Sequence, residues 1–180
     1  MIGIIDYGLS NLACVKGAVT YLGYKAKIIS TPSEIDSVSK IILPGVGAFP
    51  DAMSQIKKRG IIPVMEENII KKKKPFLGIC LGAQLVCNSS DEYGQNKGLG
   101  WINADVRKIK INNKKLRIPH TGWNNIELIK DDFLFDGIGN DSLFYFTHSH
   151  AIFDNDDKIT IAYCYHQEKF SAVIKSDNIY

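Results

Sequence analysis

The sequence predicts an α/β fold: a three-layer α/β/α sandwich with a mainly parallel central sheet and an added antiparallel strand region. Three observations predict it. Short apolar runs alternate with amphipathic stretches through the first half of the 180 residues, the layout of βαβ units. Two of those runs end in glycine-bearing turns that lead into helical patterns. After about Gly98 the helical period gives way to short strand-like segments separated by turn residues.

Residues 2–5 read as a buried strand. Ser10 or Asn11 can cap a helix whose apolar face is Leu12, Val15, Val19 and Leu22, and Gly23 ends it. Residues 25–29 are a second strand, and residues 40–43 a third that enters the turn Pro44-Gly45-Val46-Gly47. A helical stretch follows through Ala52, Met53 and Ile56 to Gly60, and another from about Pro63 to Lys73, which Pro75 prevents from continuing. Residues 76–79 form a fourth strand. Further strands are expected at 106–111, 115–118, 125–129, 143–146, 159–165 and 171–175, with a hairpin turn at Asn112-Asn113. No repeat or low-complexity linker divides the chain, so residues 1–180 read as one domain.

Composition excludes several classes of function. A net charge of +3 is too small a bias for a nucleic-acid or acidic-membrane partner. Lys71, Lys72, Lys73 and Lys74 read as the solvated end of a helix. Cys14, Cys80, Cys87 and Cys164 show neither C-x-x-C pairs nor zinc-like spacing, so no metal is expected, and a reducing, cytoplasmic setting is. The amino terminus opens directly on a strand pattern, and no apolar run reaches the ~18–20 residues that span a bilayer.

The strongest chemical signal is Gly78-Ile79-Cys80-Leu81-Gly82-Ala83-Gln84, between a strand and a helix. The pattern is that of a nucleophile elbow with cysteine as the nucleophile. Glycines flank it because the sharp turn brings main chain too close for side chains, and a helix beginning beneath the sulfur would favour thiolate. Leu81 N–H is then an oxyanion donor. Taken alone, the segment fits a buried cysteine between packing glycines equally well. Residues 44–49 follow another parallel strand, so they belong at the same sheet edge, where their glycines can present or reorient N–H groups. That turn alone is also compatible with a simple strand-to-helix connection. Together the two turns favour acyl transfer through a thioester.

These residues resemble the triad-type (class I) glutamine amidotransferases. Asp6-Tyr7-Gly8, residues 43–49, Lys97-Gly98-Leu99-Gly100, Pro119-His120-Thr121-Gly122-Trp123-Asn124 and Tyr145-Phe146-Thr147-His148-Ser149 are similar, within that class, to glutaminase subunits of imidazole glycerol phosphate synthase. The resemblance implies hydrolysis of L-glutamine to glutamate and ammonia, without a cofactor, with Cys80 as nucleophile. It implies oxyanion-hole roles for Val46, Gly47 and Leu81, and glutamine contacts from Gln84, Glu92, Ser149 and His150. It also implies a heterodimer with a (β/α)₈-barrel cyclase subunit that uses the ammonia to make imidazole glycerol phosphate and AICAR in histidine biosynthesis. Tyr7, Asn11, Pro119, His120, Gly122 and Trp123 would lie in segments facing that partner or its signal.

The sequence also departs from the family. The catalytic histidine and its orienting glutamate belong to a Gly-x-Gln-Phe-His-Pro-Glu segment that would follow residues 176–180, and no His-Pro-Glu occurs here. The expectation is a shortened chain, binding glutamine poorly, with negligible turnover and an unpaired sheet position. His148 and His150, alternating on one strand, are expected to face away from glutamine, with Ser149 opposite; His120 should orient its loop or meet the partner, and His166 should be solvated. Ser10 replaces a usual glycine and His150 a usual tyrosine, which fits a paralogue feeding ammonia to another synthase, such as one amidating a surface sugar. A catalytically dead docking subunit is the alternative from a different class. A cysteine hydrolase acting on another amide is the third, disfavoured by the docking character of residues 119–124.

Overall fold

Strand β1 (Ile2–Ile5) is followed by α1 (Leu12–Tyr21), β2 (Ala26–Ile29), α2 (Pro32–Ser37), β3 (Lys40–Gly45), α3 (Phe49–Lys58) and α4 (Ile62–Glu66). A π-helical turn, Glu67–Lys71, extends α4 before β4 (Phe76–Cys80) and the short α5 (Leu81–Leu85). The computed structural model of the chain describes residues 1–110, 116–139 and 141–180, so the turn expected at Asn112-Asn113 lies outside the described residues.

The four strands form a parallel sheet in the order β2-β1-β3-β4. Side-chain alternation along β1 and β3 gives the sheet two apolar faces. Ile4 and Ile42 pack with Val19 and the partly buried Leu12 and Val15 of α1 on one face. Ile5, Ile41 and Leu43 belong to the larger core on the other, with Ile35, Phe49, Met53, Ile56 and Met65 from the helices after β2 and β3. The carboxyl-terminal residues extend this sheet beside β4. Phe76 N–H donates to Asn178 O at 2.9 Å, Tyr180 N–H to Phe76 O at 2.9 Å, and Gly78 N–H to Tyr180 O at 2.8 Å.

The antiparallel region begins with β5 (Cys87–Ser90) and β6 (Asn96–Lys97), followed by β7 (Ile102–Lys108) and β8 (His120–Asn125). After β9 (Glu127–Leu128) come a 3₁₀ turn, β10 (Leu143–His148), β11 (His150–Asp154), β12 (Thr160–His166) and β13 (Glu168–Ile174). Among the described residues, seven of these strands form one sheet, β6-β5-β7-β11-β13-β12-β9, in which only β5 and β7 pair in parallel. β8 and β10 form a separate antiparallel ribbon. A second apolar cluster, with Ile126, Phe135, Ile161 and Phe170 buried in it, takes in the partly buried Phe144 and Phe146 of that ribbon. Among the described residues no helix is long and apolar enough to cross a membrane.

The structure corrects several expected elements. Leu22 caps α1 and is exposed rather than part of its buried face; Asn11 is the amino-terminal cap, accepting Cys14 N–H at 3.4 Å. Residues 116–118 are irregular, whereas 120–125 pair with β10 as a strand. His148 ends β10 and His150 begins β11, so they do not alternate on one strand. The sequence reading also lacked α2, whose signature is the capping box Thr31-Pro32-Ser33-Glu34: Glu34 accepts Ser30 and Thr31 N–H groups at 3.0 and 3.1 Å.

A Cβ on Gly82 would stand 1.8 Å from Leu43 O, whereas one on Gly17, in α1, would meet nothing within 4 Å. Gly82→Ala is therefore expected to cost about 2–4 kcal/mol in urea unfolding. Gly17→Ala should instead stabilise the chain by about 0.5–1 kcal/mol. Equal shifts in the two midpoints would contradict this packing.

Candidate active site

β4 delivers Cys80 at its carboxyl end with φ 54° and ψ −118°, and α5 starts at the next residue. A non-glycine residue with positive φ stores on the order of 1–3 kcal/mol of strain, which persists only where the surroundings enforce it. The flanking glycines show what enforces it here. A Cβ on Gly78 would lie 2.6 Å from Ala83 Cα, and Gly82 abuts the Leu43 carbonyl. Helix and strands meet main chain to main chain, and the cysteine is lifted into solvent contact at the sheet edge.

The β3 turn stands beside it, since Gly45 pairs in register with Cys80. Leu81, the first residue of α5, follows Cys80 directly, and its N–H favours the thiolate. Gly47 has φ +97°, while Val46 N–H donates to Leu9 O at 3.0 Å. Of the expected oxyanion donors, Leu81 adjoins the cysteine in sequence at the start of α5, and the Val46 amide is engaged elsewhere. The expectation of a favoured thiolate is also corrected. Removal of water around the sulfur raises the Cys80 pKa, and the Leu81 N–H opposes that only in part.

A cavity of about 580 Å³ opens at the cysteine, lined by Cys80, Gln84, Tyr145, His148, His150 and Tyr180 among others. Gln84 Nε2 donates to His150 O at 3.0 Å. Glu92 Oε2 accepts Phe49 N–H at 2.8 Å, anchoring the carboxylate at the start of α3. The His150 ring lies 3.5 Å from Asp91 and 3.6 Å from Glu92. Gln84, Glu92 and His150 are therefore brought together. Ser149 does not line the cavity, and its carbonyl accepts Ile109 N–H at 3.0 Å. Both neighbouring histidines face the cysteine's cavity, reversing the expected arrangement.

The histidines carry further corrections. His120 is buried, with its Nδ1 3.0 Å from His148 Nε2. His166 stacks on it at 4.0 Å between ring centroids and bonds Arg117 O at 3.0 Å, so it is packed rather than solvated. Tyr7 is wholly buried, so it and His120 present no side-chain surface to a partner; Asn11, Pro119 and Trp123 are exposed and Gly122 is half-buried. The Tyr7 hydroxyl has no hydrogen-bond partner among the described residues and would lie 2.5 Å from a Cβ on Gly45. Burial, then the nearby Cys80 sulfur, raises its pKa. Asp91 and Tyr180 escaped the sequence reading because contacts between distant strands bring them to the site. No group of three or more metal-ligating side chains occurs among the described residues.

The chain matches the family model described as glutamine amidotransferase class-I over residues 3–180. The imidazole glycerol phosphate synthase subunit HisH 2 of Methanococcus maripaludis is 40% identical over 180 residues, covering 100% of this chain and 88% of that relative. The corresponding subunit HisH of Caldanaerobacter subterraneus is 43% identical over 180 residues, covering 100% and 87%. Among solved structures, a glutamine amidotransferase from Thermotoga maritima aligns with a TM-score of 0.66 at 16% identity, covering 99% of this chain and 72% of that one. Another glutamine amidotransferase gives 0.70 at 17%, covering 89% and 78%. These structural likenesses show the fold.

The raised thiol pKa sets the pH dependence of alkylation. With thiolate as the nucleophile, labelling of Cys80 by iodoacetamide should still be climbing at pH 9, the ordinary thiol value. The rate, read by mass spectrometry on the Cys80 peptide, would contradict this environment by levelling off near pH 7.

Proposed function

Because this chain belongs to the class-I glutamine amidotransferase family, we propose that it is the glutaminase subunit of an imidazole glycerol phosphate synthase, releasing ammonia from L-glutamine for a cyclase partner. The observation that carries this reading is the strained cysteine elbow opening on a cavity beside Gln84, Glu92 and His150. The relatives named above, at 40% and 43% identity, support the subfamily.

In the proposed reaction, Cys80 Sγ loses its proton and attacks the side-chain carbonyl carbon of glutamine. The carbonyl electron pair moves to oxygen, where Leu81 N–H stabilises the oxyanion. Collapse breaks the carbon–nitrogen bond, and nitrogen leaves as ammonia after accepting a proton. A glutamyl thioester remains on Cys80. Water adds to that carbonyl, the carbon–sulfur bond breaks, and glutamate leaves as the thiol regains a proton. Glu92 suits the α-amino group, and Gln84 and His150 the polar end of the substrate. For Val46 to join the oxyanion hole, its bond to Leu9 O must break, which Gly47 permits by tolerating either hand of backbone. Ammonia then passes to a (β/α)₈-barrel cyclase, for which the exposed Pro119, Trp123 and Tyr145 offer a docking face.

The arrangement supplies a nucleophile and substrate contacts more fully than a base. Both His148 ring nitrogens are within hydrogen-bond distance of His120 and the His150 carbonyl, and the His150 ring is flanked by two carboxylates. Glutamine-dependent ammonia release by the 180-residue chain, with the cyclase subunit and its nucleotide ligand present, is therefore expected on the order of 10⁴-fold below that of a His-Pro-Glu-bearing relative. Cys80→Ala should abolish what remains. Turnover at the relative's rate would assign the proton transfers to His148 or His150, whereas cyclase binding with no Cys80-dependent release would favour a docking subunit.

A further inference from the structure

All four histidines of the chain gather between the β8–β10 ribbon and the cysteine's cavity. Two hydrogen bonds among them, with one from Asn124 and one from Gln84, form a line whose direction is fixed by chemistry. His148 Nδ1 lies 2.9 Å from the His150 carbonyl, which can only accept, so Nδ1 carries the proton. In a neutral ring His148 Nε2 is then an acceptor, and His120 Nδ1, at 3.0 Å, must donate to it. His120 Nε2 is left to accept from Asn124 Nδ2 at 3.3 Å. The second proton of that amide goes to Tyr165 O at 3.1 Å. At the far end the His150 carbonyl also accepts from Gln84 Nε2 at 3.0 Å.

We propose that Asn124, His120 and His148 are positioning residues that, through the His150 carbonyl, hold the Gln84 side-chain amide in place beside Cys80. The glutamine-contacting role of Gln84 rests on the functional reading above; the chain itself rests on the bonds. It begins on β8, where exposure alternates: Thr121, Trp123 and Asn125 face outward, and His120 and Asn124 lie inward. Pressure on the outer face of the ribbon is thereby transmitted to an amide four residues from the nucleophile.

The surroundings keep the line neutral, as its direction requires. Protonating His148 would set its Nε2–H against the Nδ1–H of His120, and protonating His120 would set its Nε2–H against the Asn124 amide. Burial first, then His166 and His148, push His120 down to about 4. Burial also lowers His148, assisted by His166 and His150 and opposed by the bond to the His150 carbonyl. Phe146 and Phe170 pack against both rings, while Asp91 and Glu92 contact His150 instead.

Two measurements test the proposal. In ¹⁵N spectra of the chain at pH 7, His120 and His148 should both be neutral with the proton on Nδ1, and Asn124→Ala should move the Gln84 side-chain amide resonance. An Nε2–H or doubly protonated His148, or an unmoved Gln84 resonance, overturns the chain. In the second, Cys80 is labelled with a glutamine-shaped diazoketone and, separately, with iodoacetamide. His148→Ala should slow the diazoketone about tenfold and leave iodoacetamide within about twofold. His148→Gln, which offers a donor and an acceptor, should recover most of the loss. Equal slowing of both reagents, or of neither, also overturns the proposal. A wild-type chain indifferent to the diazoketone would instead sink the glutamine reading, and the spectra would still decide the chain.

Discussion

The contact on which the rest depends is between main chains: Gly82 against the carbonyl of Leu43, and Gly78 against the backbone of Ala83. Here α5 sits so close to the ends of β3 and β4 that no side chain fits between them. The turn from β4 into α5 has to be abrupt, and its abruptness puts Cys80 in a backbone region that non-glycine residues seldom occupy. The same closeness goes with the register that sets Gly45 beside the cysteine. Nucleophile, adjacent turn and helix start are consequences of one packing decision rather than three separate features.

Around that scaffold the electrostatics are those of a resting site. Partial or complete burial of the thiol, of Tyr7 and of two imidazoles biases all four towards their neutral forms. The charged groups sit at the rim, where Asp91 and Glu92 flank His150 and Glu92 is tied to the amide that opens α3. The Val46 amide is satisfied by Leu9 rather than left free for an oxyanion. A site so arranged biases its cysteine towards the thiol.

Legibility from the sequence followed the range of the interactions involved. The parallel strands, the elbow and the glycine turn were readable because each is written within about ten consecutive residues and has a local physical cause. The same holds for α2, whose capping box was present but overlooked. The histidine arrangement was not readable. His148 and His150 were placed on one continuous strand, but the chain breaks at Ser149 and passes from the ribbon into the larger sheet, which turns both rings towards the cavity. Tyr7 and His120 were assigned to a surface because their segments looked like recognition motifs; burial is a property of the assembled layers, which no short window of sequence carries.

The seven-stranded sheet is bounded by β6 and β9, each only two residues long. Its interior strands run from four to seven residues, so the sheet narrows sharply at both margins. A foreign strand approaching either margin finds too few unpaired N–H and carbonyl groups to start a ladder. The seven-stranded sheet is therefore shielded from growing edge to edge into fibrils by the brevity of its outermost strands, without spending a covering helix on the task.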